Sequence, residues 1–245
     1  MTIQGKVVAI TGAGRGIGRA TALHLAARGA HMVLGARSET ELLDVAREIE
    51  SAGGEAALRS TDVTRRTDLE SLIRLGRDRF GRVDVIVNNA GIGPISRFDA
   101  LRVEDWDAMI DVNLRGALYG IAAALPVFTQ QGKGHVINVI STAGLKIVPT
   151  MGVYAATKNA LRTATEALRQ EAGAKLRVTE VSPGFIDTSF TESSITDPDV
   201  KAMINQQKER LAISPNAIAR AIAFAIEQPE DVEIGSVVVR PTAQD

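Results

Sequence analysis

Residues 6–18 read KVVAITGAGRGIG. A run of β-branched and apolar residues passes directly into a cluster of glycines and then into a segment of helical period. The run at 6–11 has the character of a strand buried on both faces, and 17–28 that of a helix closed by Gly29. Between them lies a tight strand–turn–helix connection carrying Gly12, Gly14, Gly16 and Gly18. Glycine there lets the chain turn sharply and lets its backbone approach a pyrophosphate, whose charge the free N–H groups of the helix start can hold. The spacing departs from the common G-x-G-x-x-G, because three residues separate Gly12 from Gly16. Position carries more weight than spacing here, since the turn opens a chain that goes on repeating the same strand–helix unit. The stretch therefore predicts a dinucleotide-binding fold.

Working outward, further strands are predicted at 31–35, 55–60, 83–88, 134–141, 176–182 and 234–239. Helices are predicted at 39–52, 67–80, 153–172 and 215–227, with one or two more across 104–130. Strands and helices that alternate throughout, with the strands apolar on both faces, specify an α/β, doubly wound (Rossmann-type) parallel sheet with helices on both faces. No linker or shift of composition divides residues 1–245, which reads as a single domain. The least regular piece is 186–213, polar and containing Pro198, with room for small helices. A connection of that length is expected to act as a substrate-binding loop.

Composition removes several classes. At 45% apolar and 23% charged residues the chain has the balance of a folded protein. Its 28 Lys+Arg against 29 Asp+Glu, with no basic block, give no surface for nucleic acid. Without cysteine there is no disulfide scaffold, thiolate metal site or cysteine nucleophile. His24, His31 and His135 lack any metal-ligand spacing, so no metal is expected. The start of the chain leads straight into a strand without a charged-then-apolar leader. The longest apolar stretch, 117–128, is interrupted by Pro126 and falls short of the roughly 20 residues of a membrane span. These features predict a soluble, cytoplasmic protein with no membrane partner.

The end of the second strand lies beside the adenosine ribose in such a fold. An acid there suits NAD, whereas an arginine suits the 2′-phosphate of NADP. This chain reads Leu34-Gly35-Ala36-Arg37-Ser38, with no acid before Glu39. Arg15, in the glycine turn, faces the same corner, and two guanidinium groups converging on one phosphate favour bidentate recognition. The expected cofactor is NADP(H), with Arg15, Arg37 and Ser38 at its phosphate.

Tyr154 and Lys158 stand i and i+4 at the start of a predicted helix and so share a face. A free phenol, with a pKa of about 10, is a poor acid–base group at neutral pH, and a neighbouring ammonium draws that value down. Ser141 ends the predicted fifth strand, at the edge where open α/β sheets bind ligands. A Tyr and a Lys four apart carry little weight alone. In order, however, the chain holds TGAGRGIG at 11–18, Asp62-Val63, Asn88-Asn89-Ala90-Gly91, Asn113 in DVNLRG, Ser141 in NVISTAG, Tyr154-Ala-Ala-Thr-Lys158 and Pro183-Gly184.

This set resembles the short-chain dehydrogenase/reductase family in its single-domain form, over practically the whole length. The resemblance implies a seven-stranded parallel sheet, a homotetramer or homodimer, and a small carbonyl or alcohol substrate with no metal. It implies that Tyr154 exchanges a proton with the substrate oxygen, which Ser141 holds. Lys158 lowers the Tyr154 pKa and bonds the nicotinamide ribose, and the Asn113 main chain positions a water linking Lys158 to solvent. Gly12, Gly16, Ile17 and Gly18 then belong to the cofactor turn, Asp62 and Val63 to the adenine, and Asn89, Ala90 and Gly91 to the adenosine ribose. Pro183, Gly184, Ile186 and Thr188 belong to the nicotinamide end. Leu145, Val148, Phe185 and Phe190 are expected in the substrate pocket, with Lys201 and Lys208 as cations that could serve an anionic substrate. The tail Arg240-Pro-Thr replaces the glycine-rich segment of many relatives and is similar to that of clavulanate-dehydrogenase-like carbonyl reductases. The implied activity is NADPH-dependent reduction of a ketone or aldehyde. The alternatives are a non-catalytic NADP(H)-sensing regulatory protein and a 3-oxoacyl-acyl-carrier-protein reductase.

Overall fold

In the computed structural model, which describes residues 2–190 and 198–244, the first strand settles the architecture. Along β1 (Val7–Thr11) successive side chains alternate between two cores, Val8 and Ile10 on one side, Val7 and Ala9 on the other. A strand buried on both faces must be covered by helices on both. The chain continues as α1 (Gly16–Ala26), β2 (His31–Ala36), α2 (Glu39–Ser51), β3 (Glu55–Ser60), α3 (Arg66–Phe80) and β4 (Val85–Asn88). Then follow α4 (Val103–Met109), α5 (Gly116–Gln131), β5 (Gly134–Val139), α6 (Gly152–Glu171), β6 (Leu176–Pro183), α7 (Pro198–Leu211), α8 (Asn216–Glu227) and β7 (Ser236–Val239). The strands form one seven-stranded sheet in the order β3-β2-β1-β4-β5-β6-β7, and every neighbouring pair is parallel.

Leu25 of α1, Leu42 and Ile49 of α2 and Ile222 of α8 fill the core on one face of the sheet. Leu72 of α3 and Ile121, Val127 and Phe128 of α5 fill the other. A buried polar ladder ties α6 to the sheet. Asn88 Nδ2 donates to Asn138 Oδ1 at 2.8 Å, and Asn138 Nδ2 donates to Thr165 Oγ1 at 2.8 Å. An unpaired amide there would cost about 1–3 kcal/mol, so the ladder also fixes where α6 lies.

Most element bounds differ from the sequence reading by a residue or two, and three differences have a visible reason. The fifth strand stops at Val139, and Ser141 caps a 3₁₀ turn at Thr142–Gly144, its Oγ accepting the Ala143 N–H at 3.1 Å. The fourth strand begins at Val85 because the Gln131 carboxamide takes both backbone groups of Val83, at 3.1 and 2.7 Å. The segment 186–213 holds a 14-residue helix, α7, rather than small helices, and its ends are drawn together by a bridge between Ile186 and Ile213. Residues 191–197 of that predicted loop lie outside the described residues.

The helical stretch 104–130 is one continuous helix, Val103–Gln131, because a π-turn at Ile110–Arg115 joins α4 to α5. At 29 residues it is long and apolar enough to cross a membrane by length and composition. The sequence count fell short of this because it took only the apolar stretch 117–128. In the fold, Ile121, Ala124, Val127 and Phe128 of this helix pack on the sheet.

Candidate functional site

The strand order reverses direction between β1 and β4, and the crevice at the carboxyl ends of the strands there is where such sheets bind ligands. A cavity of about 1290 Å³ occupies it, reaching from Arg37 at one end to Tyr154 and Phe185 at the other. The catalytic, cofactor and pocket residues predicted from sequence line this cavity except Gly18 and Asn113, which pack behind its wall, while Lys201 and Lys208 do not line it.

The glycine turn is built for close approach. Gly12 and Gly16 have φ of +65° and +55°, in the left-handed region that side chains resist. Gly18 serves a different purpose, because a Cβ there would stand 2.1 Å from the Gly12 carbonyl oxygen. Thr11 and Asn89 lock the turn to the end of β4. Thr11 Oγ1 accepts the N–H groups of Asn89 and Ala90 at 3.0 and 3.1 Å, and Asn89 Nδ2 donates to the carbonyls of Thr11 and Gly12 at 2.9 and 3.2 Å. A glycine-rich cradle opening on a helix start fits a pyrophosphate. Gly18→Ala is therefore expected to lower stability by about 1–3 kcal/mol through overpacking and to weaken dinucleotide binding. Thermal unfolding and a cofactor titration check this, and a variant unchanged in both contradicts the role.

At the far end, exposed Arg15 and Arg37 both face the cavity, beside Ser38. The Ser38 hydroxyl caps α2 by accepting the Glu41 N–H at 3.3 Å. Asp62 Oδ1 accepts from the N–H and hydroxyl of Thr64 at 3.0 and 2.8 Å, shaping the turn that presents Val63. Glu41 also lines this corner, its side chain lying where a Cβ on Gly14 would stand 2.8 Å away. Sequence reasoning missed it by looking for an acid at the end of β2. Glu41 sits one turn into α2, where helix geometry swings it back over the glycine turn.

The opposite end holds the predicted proton-transfer residues. Asn113 stands in the π-turn, a widened helical turn common at functional positions. Its side chain is fully engaged. Nδ2 donates to the Ile92 carbonyl at 2.9 Å and to Thr157 Oγ1 at 3.2 Å, while Oδ1 accepts the Ile92 N–H at 2.8 Å. Lys158 is 4% exposed, and its Nζ donates to the Val139 carbonyl at 2.9 Å. Burial pulls its pKa down to about 8. The same Nζ lies 6.0 Å from the centre of the Tyr154 ring.

Tyr154 departs from the expectation of a lowered pKa. Burial pushes its phenol up to about 12, and a hydrogen bond with Ser141 only partly opposes this. A phenolate loses water's solvation here, and that loss sets the direction of the shift.

The 141–151 loop forms one wall of this end. Leu145 and Val148 are largely exposed on it, and Thr150 holds a φ of +70°, a strained value for a β-branched residue. Such strain collects at sites where the surrounding structure dictates the backbone. Opposite, Phe185 and Tyr154 pack against Ile95, Val200 and Ile204, and Phe190 is tilted against Tyr154 with ring centres 6.0 Å apart. Thr188 reaches back to the glycine turn, its methyl 3.2 Å from where a Cβ on Gly16 would stand. Of the two lysines considered for an anionic substrate, Lys208 is engaged with Asp187 at 3.2 Å. Sequence reading also missed Gln207 and Arg210 of α7 and Gln244 of the tail as cavity residues, because only tertiary folding brings them there.

A nucleotide cradle at the switch point, leading without interruption to a phenol–ammonium pair, is the arrangement of a dinucleotide-dependent oxidoreductase. Residues 6–199 match the short chain dehydrogenase family, and the chain belongs to it. It is 44% identical to an uncharacterized oxidoreductase of Listeria monocytogenes, over 100% of this chain and 99% of that one. Among solved structures it resembles an alcohol dehydrogenase from the archaeon Thermococcus sibiricus complexed with 5-hydroxy-NADP, at 34% identity and a TM-score of 0.87, covering 98% of each chain. A short chain dehydrogenase/reductase from Burkholderia phymatum in complex with NAD matches at 26% identity and a TM-score of 0.87, covering 97% of this chain and 90% of that one.

Proposed function

We propose that this protein is an NADP(H)-dependent oxidoreductase that interconverts a small ketone or aldehyde and its alcohol. The observation that carries the reading is the single cavity joining the glycine cradle to Ser141, Tyr154 and Lys158. When bound, the nicotinamide supplies the hydride for reduction and, in its oxidised form, a positive charge beside the phenol. The Ser141 hydroxyl holds the substrate oxygen against the developing negative charge, and Tyr154 passes its proton to that oxygen or takes it back in the reverse direction. Lys158 supports the phenolate and holds the ribose. The Asn113 side chain is fully engaged, leaving its backbone in the π-turn to position a water. The Arg240-Pro-Thr tail favours a reductase of small carbonyl compounds similar to clavulanate dehydrogenase over an acyl-carrier-protein ketoreductase. Val238 on the edge strand β7 and Phe224 on α8 are exposed apolar residues, and they favour a homodimer or homotetramer.

The choice of NADP(H) rests on the adenosine corner. Related structures hold cofactors of either kind, so the residues decide it. Arg15 and Arg37 bring two guanidinium groups to the corner that also holds Glu41 and Asp62, and a 2′-phosphate suits such a pair. Turnover of a ketone and aldehyde panel with NADPH and with NADH tests the whole reading by nicotinamide absorbance. The wild type should have the higher kcat/KM with NADPH. Changing Ala36→Asp together with Arg37→Ser should shift the ratio towards NADH by roughly 10- to 100-fold, through one lost charge-assisted contact and one new repulsion. A wild type that prefers NADH overturns the reading of Arg37, and one that turns over no carbonyl compound overturns the activity.

A further inference from the structure

Beyond β7 the chain folds back over the carboxyl end of the sheet. The Gln244 N–H donates to the Pro241 carbonyl at 3.0 Å, and Pro241 is buried. This curl delivers the Gln244 carboxamide between two loops that leave the neighbouring strands β5 and β6. Its Oε1 accepts the Phe185 N–H at 2.9 Å, and its Nε2 donates to Thr142 Oγ1 at 3.3 Å. Gly184 makes room for the contact. A Cβ there would stand 2.2 Å from Gln244 Oε1 and 2.8 Å from the Arg240 Cβ. Its φ is not left-handed, so the approach of the tail, rather than the turn conformation, requires glycine. The Pro183-Gly184 turn and the tail that begins Arg240-Pro-Thr are thus two halves of one device.

Each loop that the carboxamide grips carries one side of the substrate slot. Thr142 follows Ser141, whose hydroxyl meets the Tyr154 phenol. Phe185 is part of the apolar wall with Met151, Tyr154 and Ile204, and its carbonyl accepts the Ile213 N–H at 3.1 Å at the base of α7. We propose that Gln244 is a positioning residue for the carbonyl half of the reaction: by clamping Thr142 to Phe185 it fixes the width of the slot between Ser141 and the Phe185 wall. The proposal rests on the oxidoreductase reading above. The adenosine corner lies at the other end of the cavity, so the clamp acts where the carbonyl and nicotinamide meet and leaves the adenosine contacts alone.

Gln244→Met and Thr142→Val, singly and together, test this in the full-length protein. Each single change should lower kcat/KM for the preferred carbonyl compound about tenfold, with kcat falling as well as KM rising, because misplacing a reacting group affects the transition state. Affinity for adenosine 2′,5′-bisphosphate, which reaches only the adenosine corner, should stay at the wild-type value, which also reports that the variant is folded. The double variant should be no worse than the weaker single one, since both break one clamp. Backbone hydrogen exchange supplies a reading without turnover, in which the Phe185 amide should exchange faster in Gln244→Met. Wild-type kinetics in Gln244→Met, fully additive losses in the double variant, or unaltered exchange at Phe185 would each overturn the proposal while the oxidoreductase reading stands. Absence of carbonyl turnover in the wild type would overturn that reading instead, and with it any role for Gln244 in the reaction.

Discussion

Tyr154→Phe is expected to lower carbonyl turnover about 100- to 10,000-fold, the range over which general acid–base groups contribute, while NADPH still binds. The change removes one oxygen and keeps the ring. That ring packs with Phe185, Met151 and Ile95 and meets Phe190, so the apolar wall and the fold survive the substitution. The loss falls on proton transfer and on the hydrogen bond with Ser141. Steady-state kcat with a reactive ketone, beside a fluorescence titration with NADPH, separates the two effects. A variant that keeps most of its turnover would remove Tyr154 from the chemistry and leave Ser141 or a water as the proton source. Loss of both turnover and binding would instead point to a packing role.

Much of this site was legible in the sequence because its parts are local. The glycine turn, the Asn88-Asn89-Ala90-Gly91 stretch and the Tyr154–Lys158 pair each lie within a few residues, and the family resemblance they carry together implies one site. What escaped the sequence is non-local or energetic. Gln244 reaches Thr142 only because the tail curls around the buried Pro241. Glu41 enters the adenosine corner only because α2 packs back over Gly14. The sequence leaves open whether 104–130 is one helix or two, because a π-turn, which no periodicity announces, decides it by carrying the helix through Asn113. The direction of the Tyr154 shift escaped because charge proximity was visible as an i, i+4 spacing, whereas desolvation depends on what covers the phenol. Sequence shows which charges are near, and only the fold shows how dry they are.

That distinction sharpens the expected behaviour of Lys158→Met. Burial pulls the lysine down to about 8 and pushes the phenol up to about 12. Both shifts disfavour the charged form, so the phenolate depends on the ammonium and, with the dinucleotide bound, on the cofactor's positive charge as well. Removing Lys158 should return the phenol towards the value set by burial, about 12, rather than the free value of about 10. Alcohol oxidation, which needs the phenolate, should then keep rising with pH beyond the point where the wild type levels off. Each unit by which the phenol pKa rises should lower the rate at neutral pH about tenfold. Lys158→Arg keeps a charge, so more of the wild-type profile should survive, but its broad planar head replaces a point contact and should weaken cofactor binding. The measurement is kcat and kcat/KM for oxidation against pH in all three proteins, with cofactor affinity determined separately. If wild type and Lys158→Met give superimposable profiles, the lysine does not tune the phenol, and its role reduces to holding the ribose from its anchor on the Val139 carbonyl.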